Sequence, residues 1–282
     1  MAVQPQPAAE PAPVPFAFFV GDFNAGKSTL INALLREETL KCDRRESRAL
    51  PTFVCRSDQA NAQFCAVPRD YKTPHRKSIS QFQGLRDDET NTDGYCALHA
   101  ATPKSPFGRL VMVDTAGMSG DAGAPPPLFT DTRHAFMVVV TDIEYWSSKH
   151  NLDLIAEYHE TFGDALVVVA NKADHLNVSD IKQITGKAEQ RMDDYGIAQP
   201  PRFFALSARL EALRSDPSDE YRRRTKPTVR AWCDAAFDSL RVALYEFEAA
   251  ALAGAMPAEL DLVKSPLAQT VVRHGGAQLH EI

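Results

Sequence analysis

Gly21-Asp22-Phe23-Asn24-Ala25-Gly26-Lys27-Ser28 matches the phosphate-loop pattern G-x-x-x-x-G-K-S/T at every fixed position. Phe16 to Val20, just before it, is a short apolar run of the kind that forms a buried strand. Ser28 to Leu35, just after it, carries apolar groups at helical spacing. The loop therefore lies between a strand end and a helix start. Backbone N–H groups there form an anion cradle, and the helix N-terminus adds positive potential. Gly21 and Gly26 let the backbone approach phosphate oxygens closely. Lys27 would reach the β- and γ-phosphates and Ser28 would ligate Mg²⁺. Gly21, Asn24, Ala25, Gly26, Lys27, Ser28 and Thr29 are the expected phosphate-side contacts.

Further along, Leu110 to Val113 reads as a strand that delivers Asp114-Thr115-Ala116-Gly117. Asp114 is the expected strand-end ligand of Mg²⁺, and the Gly117 N–H would face the γ-phosphate. Ala165 to Ala170 is another buried strand and ends at Asn171-Lys172-Ala173-Asp174. The Asp174 carboxylate can accept from guanine N1–H and from the 2-amino group, and adenine offers neither donor. A site built that way rejects the analogue strongly. Asn171, Lys172 and Asp174 are thus the guanine-reading candidates, with Ser207-Ala208 supporting the base from its far side. Thr52 is the candidate switch threonine, closing on Mg²⁺ and the γ-phosphate.

The rest of the chain fits an α/β fold. Continuous apolar strands alternate with helical stretches, which means a mostly parallel sheet covered on both faces. Ala62–Val67, Tyr95–Ala100, Ala135–Val140 and Arg202–Leu206 are the other expected strands. The polar stretch from Ser80 to Asp93 reads as a short helix plus a loop. Ser179 reads as the N-cap of a helix striped by Ile181, Ile184, Ala188 and Met192. The boundaries expected are a Pro/Ala-rich tail over 1–15, a nucleotide-binding domain over 16–226, an amphipathic helix over 227–254 and a tail over 255–282. The stripe of that helix, from Val229 to Ala251, either packs on the domain or also meets a partner.

Composition narrows the class. A net charge of −6 argues against nucleic acid as partner. Five scattered cysteines without a C-x-x-C pair fit reduced thiols in a cytoplasm. The histidines show no metal-ligand spacing. No apolar run reaches the roughly 18–20 residues of a membrane span, and the N-terminus lacks a signal-peptide pattern.

Gly21 through Leu35, with Leu50-Pro51-Thr52, resembles the start and switch I of a bacterial dynamin-like GTPase. The β-rich stretch between Thr52 and Asp114 suits that family, whose G domains carry extra strands there. The resemblance covers Phe16 to Arg209; the chain is similar, less closely, to Era-like GTPases. It implies a P-loop NTPase three-layer G domain that binds GTP/GDP with Mg²⁺ and hydrolyses GTP to GDP and phosphate. It also implies a nucleotide-dependent homodimer or a partner dynamin-like protein, and leaves peripheral membrane contact open.

The sequence departs from the family in three ways. Phe23 stands where eukaryotic dynamins carry a catalytic glutamine. Met118 stands where Ras-like proteins place theirs. One strong helical pattern follows Leu213, short of a dynamin stalk, so membrane remodelling does not carry over. Slow hydrolysis without a partner is the consequence, and a GTP-gated module with negligible turnover is the alternative. An Era-like RNA-assembly role is a further one, weakened by the acidic balance. Arg44, Arg45 and Arg48 precede Thr52. They read first as a solvated mixed-charge loop with Asp43 and Glu46. Arg48 is the residue a cis arginine finger would use, which makes Lys27, Thr52 and Arg48 the catalytic candidates.

Overall fold

The computed structural model describes residues 14–42, 50–70, 72–87, 94–115, 134–216 and 218–253. Its strands are β1 (Phe16–Val20), β2 (Thr52–Arg56), β3 (Gln63–Pro68), β4 (His75–Lys77), β5 (Tyr95–Thr102), β6 (Val111–Asp114), β7 (Ala135–Asp142), β8 (Leu166–Asn171) and β9 (Arg202–Ala205). They form one sheet in the order β4-β3-β5-β2-β6-β1-β7-β8-β9. The helices are α1 (Lys27–Leu35), α2 (Ile79–Asp87), α3 (Lys149–Phe162), α4 (Val178–Asp194), α5 (Ala208–Ala212), α6 (Glu220–Arg224) and α7 (Pro227–Leu252).

β1 runs through the middle, parallel to β6 on one side and β7 on the other. All five of its residues are buried, because both faces of the sheet are covered. Alternation sends Phe16, Phe18 and Val20 into a layer shared with Ile155 and Tyr158 of α3 and Ile181 and Met192 of α4. Ala17 and Phe19 point the other way, into a layer with Leu30, Ile31 and Leu34 of α1 and Phe82 of α2. These are the three layers expected of a P-loop G domain.

The sheet is parallel from β6 to β9 and mixed beyond β6. β2 pairs antiparallel with β6, and β3 pairs antiparallel with both β4 and β5, while β2 and β5 are parallel. The segment from Thr52 to Thr102 holds one short helix among its described residues, too little for helical crossovers between every strand. β4 was not expected from the sequence. α2 covers this half of the sheet through Phe82, whose ring centre lies 4.9 Å from that of Phe64.

Two local expectations are corrected. Asn177, not Ser179, caps α4: its backbone is extended and its side chain accepts from the Asp180 N–H. Ser179 lies inside the first turn, with its hydroxyl on Asn177 Oδ1. Arg222-Arg223-Arg224, following Asp216, Asp219 and Glu220, reads by sequence as a charge-balanced solvated loop, yet Arg222 lies in α6, donates to Leu210 O at 2.6 Å and pairs with Asp234 at 2.8 Å.

α7 packs along the molecule. Val229 and Cys233 join one apolar layer, and Phe237, Leu240, Leu244 and Phe247 join the other. Buried Glu248 accepts from the backbone N–H groups of Arg109 and Leu110, pinning the helix to the start of β6. Truncating Glu248 would strand two N–H groups, each costing roughly 1–3 kcal/mol.

Candidate functional site

β1 ends at Val20 and the chain turns sharply through the phosphate loop. Gly21 has φ 136°, and a Cβ there would stand 2.0 Å from the Val140 carbonyl oxygen. Gly26 has φ 94°, and a Cβ there would stand 2.2 Å from Asn171 Nδ2. Both positions therefore demand glycine, for conformation and for space. Asn24, at φ 59°, takes the remaining left-handed position. Outside the loop, His150 Nε2 lies 2.9 Å from Asp22 Oδ1.

α1 starts at Lys27 with no side-chain cap, so its first N–H groups face the loop. Lys27 Nζ donates to Gly21 O at 2.9 Å and to Asp22 O at 2.8 Å. Burial pushes its pKa below the usual lysine value, and the nearby Asp114 and Asp22 carboxylates oppose that shift. A buried cation held by two carbonyls is well suited to polyanionic phosphate.

Ser28, Thr52 and Asp114 converge from three elements. Ser28 Oγ donates to Asp114 Oδ2 at 2.6 Å. Thr52 sits opposite Asp114 in the β2–β6 pairing. Thr52 is the first residue of β2, completely buried, with its hydroxyl on Leu50 O at 3.2 Å. The candidate switch threonine is thus part of the sheet. Three hard oxygen donors suit Mg²⁺, and buried Asp114 Oδ1 has no hydrogen-bond partner among the described residues. The donor set fits that ion.

Sequence reasoning missed a fourth member, Arg86 of α2. It donates to Thr52 Oγ1 at 2.9 Å, to Asp114 Oδ2 at 2.7 Å and to Ser28 Oγ at 3.2 Å. The pair is deep: Arg86 is 7% exposed and Asp114 4%. Removing one partner alone would leave a buried charge, which costs about 3–5 kcal/mol. No short-range pattern marks Arg86; an arginine near a helix end is ordinary. Arg48 and Gly117 lie outside the described residues, as does Met118.

On the base side, Asn171 joins two loops. Its Nδ2 donates to Ala25 O at 2.9 Å, and its Oδ1 accepts from the Ala208 N–H at 2.9 Å. Ser207 caps α5 by accepting from the Leu210 N–H. Lys172 adopts φ 66° and its ammonium pairs with Asp142 at 2.7 Å. The Asp174 carboxylate accepts from the Tyr221 hydroxyl. Tyr221, also missed in the sequence, has its hydroxyl pKa pushed up to about 12, by burial first and by the Asp174 hydrogen bond second. Arg209 stacks on its ring at 3.6 Å.

The phosphate loop, the oxygen cluster and the Asn171–Asp174 loop thus meet at one end of the parallel strands, the edge where open α/β sheets take ligands. The Dynamin family matches residues 18–190, more than half of the chain. The chain belongs to the dynamin family. Two solved structures of an oligomerised bacterial dynamin pair, described as providing a mechanism for long-range sensing and tethering of membranes, are similar to it. One is 13% identical with a TM-score of 0.57, covering 83% of this chain and 49% of that one. The other is 14% identical with a TM-score of 0.55, covering 82% and 41%. At such identities the likeness is one of fold. This dynamin-family chain spans less than half the length of either neighbour. No curated protein matches it by sequence. None of its described helices is long and apolar enough to cross a membrane.

Proposed function

We propose that this dynamin-family G domain binds GTP and GDP with Mg²⁺ and hydrolyses GTP to GDP and phosphate by in-line attack of water. The observation that carries this reading is Asn171. One side chain ties Ala25 of the phosphate loop to Ala208 of the base-side loop, so phosphate and base recognition share one mouth. Asp174 then supplies the carboxylate that distinguishes guanine from adenine.

In this reading Lys27 exchanges its two carbonyl partners for phosphate oxygens and neutralises charge that builds up on them. Ser28, Thr52 and Asp114 would hold the metal. When bound, Mg²⁺ would supply neutralisation of phosphate charge. Asn171 keeps the phosphate loop in register with the base-side loop. Phe23 gives no polar group to orient water, so pairing of two G domains, or a partner dynamin-like protein, would supply the missing order. The neighbours' description as a dynamin pair supports that choice. Thiols at all five cysteines are in keeping with a reducing cytoplasm.

Calorimetry with GTP, GDP and ATP in Mg²⁺ tests the reading. Tight GTP and GDP binding that Lys27→Ala abolishes for the triphosphate is the expected result. Native GTP affinity and turnover in Lys27→Ala would remove the phosphate-loop assignment.

A further inference from the structure

The three oxygen donors assigned above to Mg²⁺ are held by a cation of the chain itself. The Arg86 fork spans them: Nη1 on Thr52, and Nη2 on both Asp114 and Ser28. We propose that Arg86 is a displaceable internal cation that competes with Mg²⁺ for Ser28, Thr52 and Asp114, so that loading of metal and nucleotide requires the last turn of α2 to release it. The proposal rests on the GTP-binding reading and adds a regulatory contact to it.

Geometry makes the competition direct. Asp114 Oδ2 accepts from both Ser28 Oγ and Arg86 Nη2. Mg²⁺ binds oxygen at about 2.0–2.1 Å in near-octahedral geometry. Asp114 Oδ1 is left without a partner among the described residues, but the Thr52 and Ser28 oxygens that Mg²⁺ would also use now accept from the guanidinium. Charge points the same way. The Arg86–Asp114 pair is buried and 2.7 Å apart. A divalent ion beside it would meet the guanidinium at short range in a buried setting, where repulsion is strong. Arg86 therefore has to leave.

The arginine is also incompletely satisfied. Its Nε is buried and has no hydrogen-bond partner among the described residues. Such a group is costly to keep in place, which eases release to a better-matched cation. The fork shape matters too. A lysine ammonium cannot reach Thr52 and Asp114 as two parallel donors.

The test titrates Mg²⁺ against the full chain in the presence of fluorescent GDP, for the native protein, Arg86→Gln and Arg86→Lys. The Mg²⁺ midpoint is expected to fall by ~10-fold or more in Arg86→Gln, on the scale of removing one buried competing charge. Arg86→Lys should lie between the two. Equal midpoints in the native protein and Arg86→Gln, with normal GDP binding, would overturn the competition and leave the GTP reading intact. GDP binding that survives chelation of Mg²⁺ in the native protein but not in Arg86→Gln would overturn it as well, since Arg86 would then be the resident cation. No GDP binding by the native chain at any Mg²⁺ concentration would sink both. Hydrogen exchange on the native chain keeps the idea testable if Arg86→Gln does not fold. Mg²⁺–GDP should speed exchange over residues 79–87, and GDP with chelator should not; no change in that peptide overturns release.

Discussion

The Tyr221 hydroxyl donates to the Asp174 carboxylate and covers it, so that the Asp174 side chain is 2% exposed. The carboxylate assigned to guanine thus has an internal donor with which the base must compete. Tyr221→Phe keeps the ring on which Arg209 stacks and removes that donor. Guanine nucleotide affinity is expected to rise by ~3–10-fold, while the protein without nucleotide loses about 1–3 kcal/mol through the unpaired carboxylate. Calorimetry and thermal melts measure the two effects. A fall in affinity would mean that Tyr221 orients Asp174 for the base rather than competing with it.

Nucleotide choice is expected to turn on Asp174. ATP is expected to bind at least ~100-fold more weakly than GTP, because adenine offers neither of the donors that guanine presents to the Asp174 carboxylate. Asp174→Asn should shift preference toward xanthine nucleotides, whose 2-oxo group accepts where guanine donates. Comparable ATP and GTP affinities in the native protein would remove the guanine assignment.

Hydrolysis should depend on pairing. Phe23 offers no group to orient water, so an isolated chain should turn over slowly. Specific activity is expected to rise across a ~100-fold range of protein concentration, and a γ-phosphate transition-state mimic should drive dimerisation. Arg48→Ala should lower turnover more than GTP affinity. A flat rate per molecule, with a monomer in light scattering when the mimic is bound, would favour a cis mechanism or a separate activator.

Alkaline pH should destabilise the fold. Burial pushes the Cys55 and Cys233 thiols from 9.0 up to about 12, and the Tyr158 and Tyr221 hydroxyls from 10.0 up to about 12. Between those values the unfolded chain has lost protons that the folded chain keeps. Stability therefore falls as pH rises from 9 toward 12. Lys27 works the other way, since burial lowers its pKa and the folded chain binds that proton less tightly. Cys42, Cys65 and Tyr195 are shifted upward as well, so the raised groups outnumber the one lysine and calorimetric melting temperatures should drop over this range. Cys233→Ala should flatten the slope.

The parts legible in the sequence are those set by neighbours in the chain. The loop from Gly21 to Ser28, the Asn171–Asp174 motif and the continuous apolar run of β1 each carry their meaning within a few residues. So do the stripes of α4 and α7, because helical spacing alone decides which side chains share a face. The folded chain decided what depends on residues far apart. Arg86 meets Ser28 58 positions away and Asp114 28 positions away. Tyr221 finds Asp174 across 47 positions, and Asn171 finds Ala25 across 146. The direction of β2 against β6 belongs to the same class, since it depends on how the segment before β6 returns to the sheet. A lone arginine, tyrosine or asparagine has no periodic signature. Its partner is chosen by which surfaces the packed sheet and helices bring together, and by the need to pair each buried charge and donor where they meet.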